Sequence, residues 1–210
     1  MTTPNTALFP MFVKLSGRCC LVVGGGYIAE SKVGSLLTSG ASVTVVSPAL
    51  TASLRRQERQ GAFAWLARRF AVSDLDGAFL VIAATSDDAV NDLIFQEADR
   101  RGVLCNAVDQ PPRCHFYFPA VVRRGALQIA ISTAGLSPSL AQHLRKELEA
   151  EFAPEYAEWL AWLGAVRQAL MARSIDFGTR KHLLAYIARR ESFERWQAAR
   201  VRPRALREAA

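Results

Sequence analysis

Short apolar runs alternate with longer amphipathic segments through the first half of the chain. Short apolar runs between turn residues are typical of buried strands, and longer amphipathic segments are typical of helices. The runs that predict strands are residues 19–23, 42–46, 62–66, 78–84 and 104–108. The segments that predict helices are residues 28–39, 51–60 and 88–101. This alternation predicts an α/β fold with a doubly wound parallel sheet.

The pattern changes after Asp109, where Gln110-Pro111-Pro112 interrupts the alternation. Residues 115–122 and 126–132 predict the two strands of a β-hairpin, and the chain has helical periodicity from Ser137 onward. A hairpin appended to a parallel sheet leaves an open edge, which a second subunit often covers, so we expect a homodimer. The expected parts are a parallel-sheet domain, a hairpin dimerisation region and a helical domain, at residues 1–112, 113–138 and 139–210.

The turn after the first predicted strand is rich in glycine. Gly24, Gly26 and Ala29 match the G-x-G-x-x-G/A fingerprint of Rossmann-like dinucleotide-binding folds. Gly24 allows the tight turn, Gly26 lets the backbone approach a pyrophosphate, and Ala29 allows close packing of helix and strand. The first helical turn, which contains Tyr27 and Ile28, directs its amide groups toward the phosphates. The turn therefore predicts a dinucleotide site.

Polar residues or glycine follow four of the predicted strands, at Gly24, Ser47, Thr85 and Asp109. Because the carboxyl ends of parallel strands lie at one edge of the sheet, we expect these residues to share one crevice. An NAD site usually has an acid near the position of Ser47, and an NADP site an arginine. The second strand ends in neither, so the choice between NAD and NADP stays open here. Asp109 is a candidate base, or a turn residue without a chemical role.

Charge is unevenly distributed along this chain of 210 residues, half of them hydrophobic. Residues 173–210 contain ten Lys or Arg against four Asp or Glu, which accounts for +6 of the net charge of +7. A solvated helical face, attraction of an anionic substrate and nucleic-acid binding are the three interpretations, in that order. No nucleic-acid recognition motif is present, so we expect no nucleic-acid partner.

Cysteine spacing and hydropathy bear on metal binding and on the location of the protein. The four cysteines form no C-x-x-C pair, which is typical of small buried side chains rather than a zinc site, and we expect no metal ligands. No apolar run approaches the roughly 20 residues of a membrane span, and the N-terminus lacks a secretory pattern. We therefore expect a cytoplasmic protein without a membrane partner.

Six sequence pieces, in order, resemble a known family over nearly the whole chain. They are Phe9-Pro10-x-Phe12, Val23-Gly24-Gly25-Gly26-x-x-Ala29-x-x-Lys32, Ala83-Ala84-Thr85-x-Asp87, Asn106-x-Val108-Asp109-x-Pro111, Phe116-x-x-Pro119 and Ser132-Thr133-x-Gly135-x-Ser137-Pro138. On these pieces the chain resembles the precorrin-2 dehydrogenase and sirohydrochlorin ferrochelatase family, whose domain also forms the N-terminal part of sirohaem synthase. The tetrapyrrole methyltransferase domain of the fused enzyme is not matched, so that activity is not expected.

The resemblance implies an oxidoreductase of sirohaem and porphyrin biosynthesis that oxidises precorrin-2 to sirohydrochlorin with NAD⁺. In several members it also implies a lyase activity, the insertion of Fe²⁺ to give sirohaem. The family's catalytic aspartate falls on Asp109. The family's cofactor contacts fall on Gly26, Tyr27, Ile28, Pro48, Ala49 and Thr85. Gly24 of the fingerprint and Ser47 at the end of the second strand complete the predicted cofactor site. Substrate-side candidates are Asn106, His115 and Thr133. His115, six residues after Asp109, is a candidate for proton transfer or metal delivery, or an ordinary polar residue of the hairpin, and Thr133 replaces a family serine.

Two other classes of protein remain open. A non-catalytic NAD-binding regulatory module would use the same glycine turn but would need no acid at Asp109. A nucleic-acid-binding protein would act through the basic tail and would bind less tightly as salt rises. For any dinucleotide site at this turn, we expect Asp in place of Gly24 or Gly26 to abolish cofactor binding while the fold persists.

Overall fold

The structure, a computed structural model, describes residues 8–207 and the side chains of residues 8–200. A five-stranded parallel sheet is formed by β1 (Cys19–Val23), β2 (Ser42–Val46), β3 (Ala64–Leu66), β4 (Leu80–Ala83) and β5 (Leu104–Ala107). The strand order is β3-β2-β1-β4-β5. Three helices connect the strands: α1 (Tyr27–Thr38), α2 (Ala52–Arg59) and α3 (Asp88–Arg101). The order reverses between β1 and β4, which is where doubly wound sheets bind ligands.

Two apolar clusters hold the sheet between its helices. On one face Val22, Val45 and Ile82 are buried with Val33 of α1 and Leu54 of α2. Burying a side chain of this size contributes about 1.5–3 kcal/mol, so each face adds substantially to stability. The opposite face packs against α3 through a second set of buried side chains, Leu21, Val23, Val81, Ala83, Cys105, Ile94 and Ala98. Burial on both faces explains why β1 and β4 read as continuous apolar runs.

The chain divides between Phe118 and Pro119 into two compact units. The second unit begins with a hairpin of β6 (Ala120–Arg124) and β7 (Leu127–Ile131), which forms its own two-stranded antiparallel sheet. Four helices follow: α4 (Pro138–Glu151), α5 (Tyr156–Met171), α6 (Phe177–Ile187) and α7 (Arg190–Arg207). Within residues 8–207, no helix has the length and apolarity needed to cross a bilayer.

The predicted strand at residues 115–122 is wrong in its first half. Cys114 forms an antiparallel bridge with Asn106, and the His115 N–H donates to the Cys105 carbonyl at 2.8 Å, so this segment folds back along β5. Pro119 then breaks the run, because proline cannot donate a ladder hydrogen bond. Residues 113–118 consequently lie in the first unit, and the roles expected for the three parts stay predictions.

Aromatic side chains form the centre of the second unit. Trp159 of α5 is buried and contacts Tyr156 and Phe193 edge-on, with ring centroids 5.5 and 5.3 Å apart. Arg124 donates to the carbonyls of Phe152 at 2.6 Å and Glu149 at 2.8 Å, which joins β6 to the end of α4. Trp159 and Phe193 therefore serve the packing of the helical segment.

Candidate active site

A crevice of about 840 Å³ opens at the carboxyl ends of the parallel strands. Its volume lies within the roughly 300–1,000 Å³ typical of small-molecule sites. The ends of β1, β2, β4 and β5 line it, together with the loop that follows β3. The predicted site residues that the structure brings together here are Gly24, Gly26, Tyr27, Ile28, Ser47, Pro48, Thr85 and Asp109.

The three glycines of the turn have different surroundings. A Cβ atom at Gly24, whose φ is +119°, would lie 2.3 Å from the Ala84 carbonyl oxygen. At Gly25 it would lie 2.1 Å from the Ala49 carbonyl oxygen. At Gly26 nothing lies within 4 Å of that position. The first two glycines therefore allow close approach between loops, while the third leaves open space for a ligand.

The start of α1 provides amide donors for an anion. Gly26 is the N-cap residue and no side chain caps the helix, whereas Thr51 caps α2 and Asp87 caps α3. The first amides of a helix have no intrahelical acceptor, and the helix dipole makes this end positive. Because Tyr27 and Ile28 line the crevice, these donors suit a pyrophosphate. The open Gly26, the uncapped amides and the volume together fit a dinucleotide.

The end of β2 is fixed by hydrogen bonds around Ser47, which is buried. Its hydroxyl donates to the Ala49 carbonyl and accepts from the Ala49 N–H at 3.2 Å. The Trp65 indole N–H donates to the Ser47 carbonyl at 3.0 Å, which ties β3 to β2. Ala49 is outside the lining, and its predicted cofactor contact stays a prediction.

The loop after β4 is held by Asn91, a buried amide on α3. Thr85 donates through its hydroxyl to the Asn91 Oδ1 at 2.8 Å, and the Asn91 amide donates to the Thr85 carbonyl at 3.1 Å. Asn91 was not predicted as a site residue. A polar residue on the apolar face of a predicted helix is the sequence feature that could have indicated it. It fixes one wall of the crevice.

Asp109 follows β5 and is exposed to the crevice. Its φ of +59° lies in the left-handed region, which Asp tolerates better than most residues and which is enriched at functional sites. Lys32 is half-buried nearby, with its ammonium 3.9 Å from the Phe118 ring centroid. Burial lowers the Lys32 pKa, and the negative charge of Asp109 acts in the opposite direction. Asp109 thus faces the crevice in a left-handed turn, with Lys32 in its electrostatic surroundings.

Three predicted substrate residues lie outside the crevice lining. The His115 Nδ1 accepts from the Cys105 N–H at 3.0 Å, and its Nε2 is 3.1 Å from an Asp99 carboxylate oxygen. The Asn106 amide donates to the Phe116 carbonyl at 2.8 Å. Thr133 belongs to the second unit, where its hydroxyl accepts from the Ser137 N–H at 3.2 Å. Each has a partner within its own unit, and its substrate contact stays a prediction.

Several lining residues were missed from the sequence: Arg69, Phe70, Ser86, Asp87 and Val90. Arg69 and Phe70 lie in an irregular loop, where no periodicity points to a shared site. Ser86 and Asp87 are adjacent to Thr85 and follow from its position. Within residues 8–207, no three His, Cys, Asp or Glu side chains cluster as ligands of a metal ion.

Gly24→Ala is expected to lower the free energy of unfolding by about 2 kcal/mol or more, because left-handed strain and a clash with Ala84 add together. Gly61→Ala is the matched control, since Gly61 also has a positive φ but its Cβ position is open. It should cost only about 1 kcal/mol. Urea denaturation of both variants measures the difference, and equal losses would contradict the close approach at Gly24.

The parallel sheet, the glycine turn and the uncapped helix define a Rossmann-like NAD(P)-binding protein. A family model described as putative NAD(P)-binding matches residues 11–120, and one described as sirohaem biosynthesis protein central matches residues 124–151. The chain belongs to the family described as putative NAD(P)-binding, and a short segment of it also matches the sirohaem biosynthesis model. The family resemblance and the α/β fold class predicted from the sequence are thereby confirmed.

Named relatives agree with this assignment. Siroheme synthase 1 of Serratia proteamaculans is 44% identical over 167 residues, covering 78% of this chain and 35% of the relative. Siroheme synthase of Actinobacillus pleuropneumoniae is 38% identical over 186 residues, covering 89% and 38%. The chain thus spans little more than a third of these relatives. The solved structure of SirC, a precorrin-2 dehydrogenase, is 29% identical with a TM-score of 0.77, covering 88% of this chain and 92% of that one.

Proposed function

We propose that the protein oxidises precorrin-2 to sirohydrochlorin with NAD⁺ as the acceptor. The observation that carries this proposal is one crevice containing the glycine turn, the uncapped start of α1 and Asp109. NAD⁺, when bound, supplies the acceptor for a hydride. The family and the likeness to a precorrin-2 dehydrogenase support the substrate class.

Each part of the crevice has a proposed role. Gly26 and the amides of Tyr27 and Ile28 bind the pyrophosphate. The end of β2, at Ser47 and Pro48, lies on the adenosine side, and the Thr85 loop lies across the switch point from it. These contacts orient the dinucleotide along the strand ends.

Asp109 completes the oxidation. Removing a hydride from the reduced macrocycle leaves a cation, which becomes sirohydrochlorin when it loses a proton. We assign that proton to the Asp109 carboxylate, which is exposed to the crevice and needs no movement of the sheet to reach a bound ligand. One hydride and one proton account for the two hydrogens lost.

Insertion of Fe²⁺ is the proposed second reaction at the same place. Metal entry releases two pyrrole protons, and an exposed carboxylate such as Asp109 is suited to accept them. Fe²⁺ is here a substrate, delivered to the tetrapyrrole from solution.

Assembly and location complete the proposal. In the described part of the chain β6 and β7 pair only with each other, so each leaves an outer edge to which a second copy could add. We propose a homodimer formed through this hairpin, working in the cytoplasm.

An anaerobic assay of the purified protein with precorrin-2 and NAD⁺ tests the proposed function. We expect sirohydrochlorin absorbance to appear, and Fe²⁺ added afterwards to enter faster than in a reaction without protein. Oxidation without faster metal insertion would remove the second reaction only. No oxidation with NAD⁺ or NADP⁺, with the dinucleotide still bound, would favour a regulatory module instead.

A further inference from the structure

Arg69 is a cation in the crevice that the proposed reaction does not use. It lies in the loop between β3 and the short helical turn Val72–Leu75, and it lines the crevice together with Ser47 and Pro48. In the described part of the chain the Arg69 side chain takes part in no ion pair, whereas Arg68, Arg101 and Arg113 each pair with a carboxylate. An exposed guanidinium is therefore available to a ligand at this wall.

The backbone on both sides of Arg69 is held in place. The Arg68 guanidinium pairs with both carboxylate oxygens of Asp74 and also donates to the Arg69 carbonyl at 3.0 Å. The Ala71 N–H donates to Asp74 at 2.8 Å. The Arg68 guanidinium holds the pKa of Asp74 below its ordinary value, so this clasp is charged at neutral pH. A fixed loop directs Arg69 at less entropic cost than a mobile one.

The opposite wall carries the acids of the crevice. Asp87 and Asp109 follow β4 and β5, three and four strands away from β3. With strands about 4.8 Å apart, the ends of β3 and β4 are about 14 Å apart. The two acids therefore follow strands on the far side of β1 from the strand that precedes Arg69.

The adenosine half of a bound dinucleotide lies over the end of β2, because the pyrophosphate occupies the turn after β1. The position that an NAD-selective acid would occupy is held by Ser47, whose hydroxyl already bonds to Ala49. The residues that line the crevice at this strand end are Val46, Ser47 and Pro48, and none of them carries a negative charge that would repel a phosphate on the ribose 2′-oxygen. A guanidinium recognises phosphate through strong, charge-assisted hydrogen bonds.

We propose that the crevice binds NADP⁺ as well as NAD⁺, and that Arg69 recognises the 2′-phosphate of NADP⁺. The proposal rests on the dinucleotide site of the proposed function. It makes one residue, Arg69, responsible for accepting NADP⁺ in addition to NAD⁺. NADP sites usually have an arginine near the end of the second strand. Arg69 comes instead from the loop after β3.

Equilibrium titration of the full chain with NAD⁺ and NADP⁺, followed by calorimetry, tests this assignment without turnover. The unchanged protein should bind NADP⁺ at least as tightly as NAD⁺. Arg69→Ala should weaken NADP⁺ binding about ten- to a hundredfold and NAD⁺ binding less than about threefold. Arg69→Lys should retain part of the difference, and NADP⁺ affinity should fall more steeply with salt than NAD⁺ affinity.

Arg59→Ala is the charge-matched control. Arg59 is exposed in the last turn of α2, outside the crevice lining, so its removal should leave both affinities unchanged. Tight NAD⁺ binding with NADP⁺ bound more than about tenfold more weakly would overturn the proposal and keep the proposed function. Equal weakening of both cofactors in Arg69→Ala would also overturn it. Failure of the unchanged protein to bind either dinucleotide would overturn both.

Discussion

Asp109→Asn is expected to reduce oxidation of precorrin-2 by about 10²- to 10⁴-fold, the usual contribution of a positioned general base. NAD⁺ affinity should stay near its original value, because Asp109 is on the wall opposite the adenosine side. Asn keeps the shape of the side chain and tolerates the left-handed backbone at φ +59°, so the fold should persist. Steady-state turnover and NAD⁺ titration of the same preparation measure the two effects.

The control for Asp109→Asn is Glu58→Gln, on α2 and outside the crevice lining. It removes one negative charge without touching the site, so turnover should be unchanged. Near-original turnover of Asp109→Asn would mean that the proton leaves by another route, and the role of Asp109 would be wrong. Loss of both turnover and NAD⁺ binding would point to a role in the cofactor site.

Gly26→Asp is expected to weaken NAD⁺ binding by more than about a hundredfold while the melting temperature stays the same or rises. Gly26 is the N-cap of α1, where Asp is a favoured residue, and its Cβ position is open. The new carboxylate would accept hydrogen bonds from the amides that are proposed to bind the pyrophosphate. It would also repel the phosphates. Titration with NAD⁺ and thermal unfolding measure the two effects together.

Gly34→Asp is the control for Gly26→Asp, because it adds the same charge two turns further along α1, also where a Cβ meets open space. It should leave NAD⁺ affinity within about twofold. Unchanged NAD⁺ affinity in Gly26→Asp would mean that the turn is not the phosphate site. The structure also separates Gly24 from Gly26: a Cβ atom at Gly24 would clash with Ala84, so Asp at Gly24 should cost stability as well as cofactor binding, and the persistence of the fold there stays a prediction.

The parts of the fold that the sequence predicts well are those set by local physics. β1 and β2 have the predicted bounds because continuous burial and β-branched residues leave little choice. α3 begins after its Asp87 cap and ends at Gly102, in the left-handed conformation, which explains its predicted bounds. Such signals lie within a few residues of the boundary they determine.

The parts that the sequence predicts poorly depend on distant contacts. Residues 115–119 have a strand-like pattern, but Cys114 and His115 bond to β5 instead, which no local pattern reveals. Arg69 reaches the crevice through a clasp between Arg68 and Asp74, an ion pair formed across an irregular loop. The roles of Asn106, His115 and Thr133 stay predictions, because they depend on contacts with a bound substrate.

A single-turnover reaction under anaerobic conditions tests the central claim most directly, because it follows both products of the crevice at once. We expect NADH and sirohydrochlorin to appear at the same rate and in equal amounts when excess protein meets precorrin-2 and NAD⁺. Asp109→Asn, loaded with NAD⁺, should form almost no sirohydrochlorin on that time scale, because the cation left by hydride removal lacks its base. Sirohydrochlorin formed without NADH, or equal progress in Asp109→Asn, would contradict a hydride transfer completed by Asp109 in this crevice.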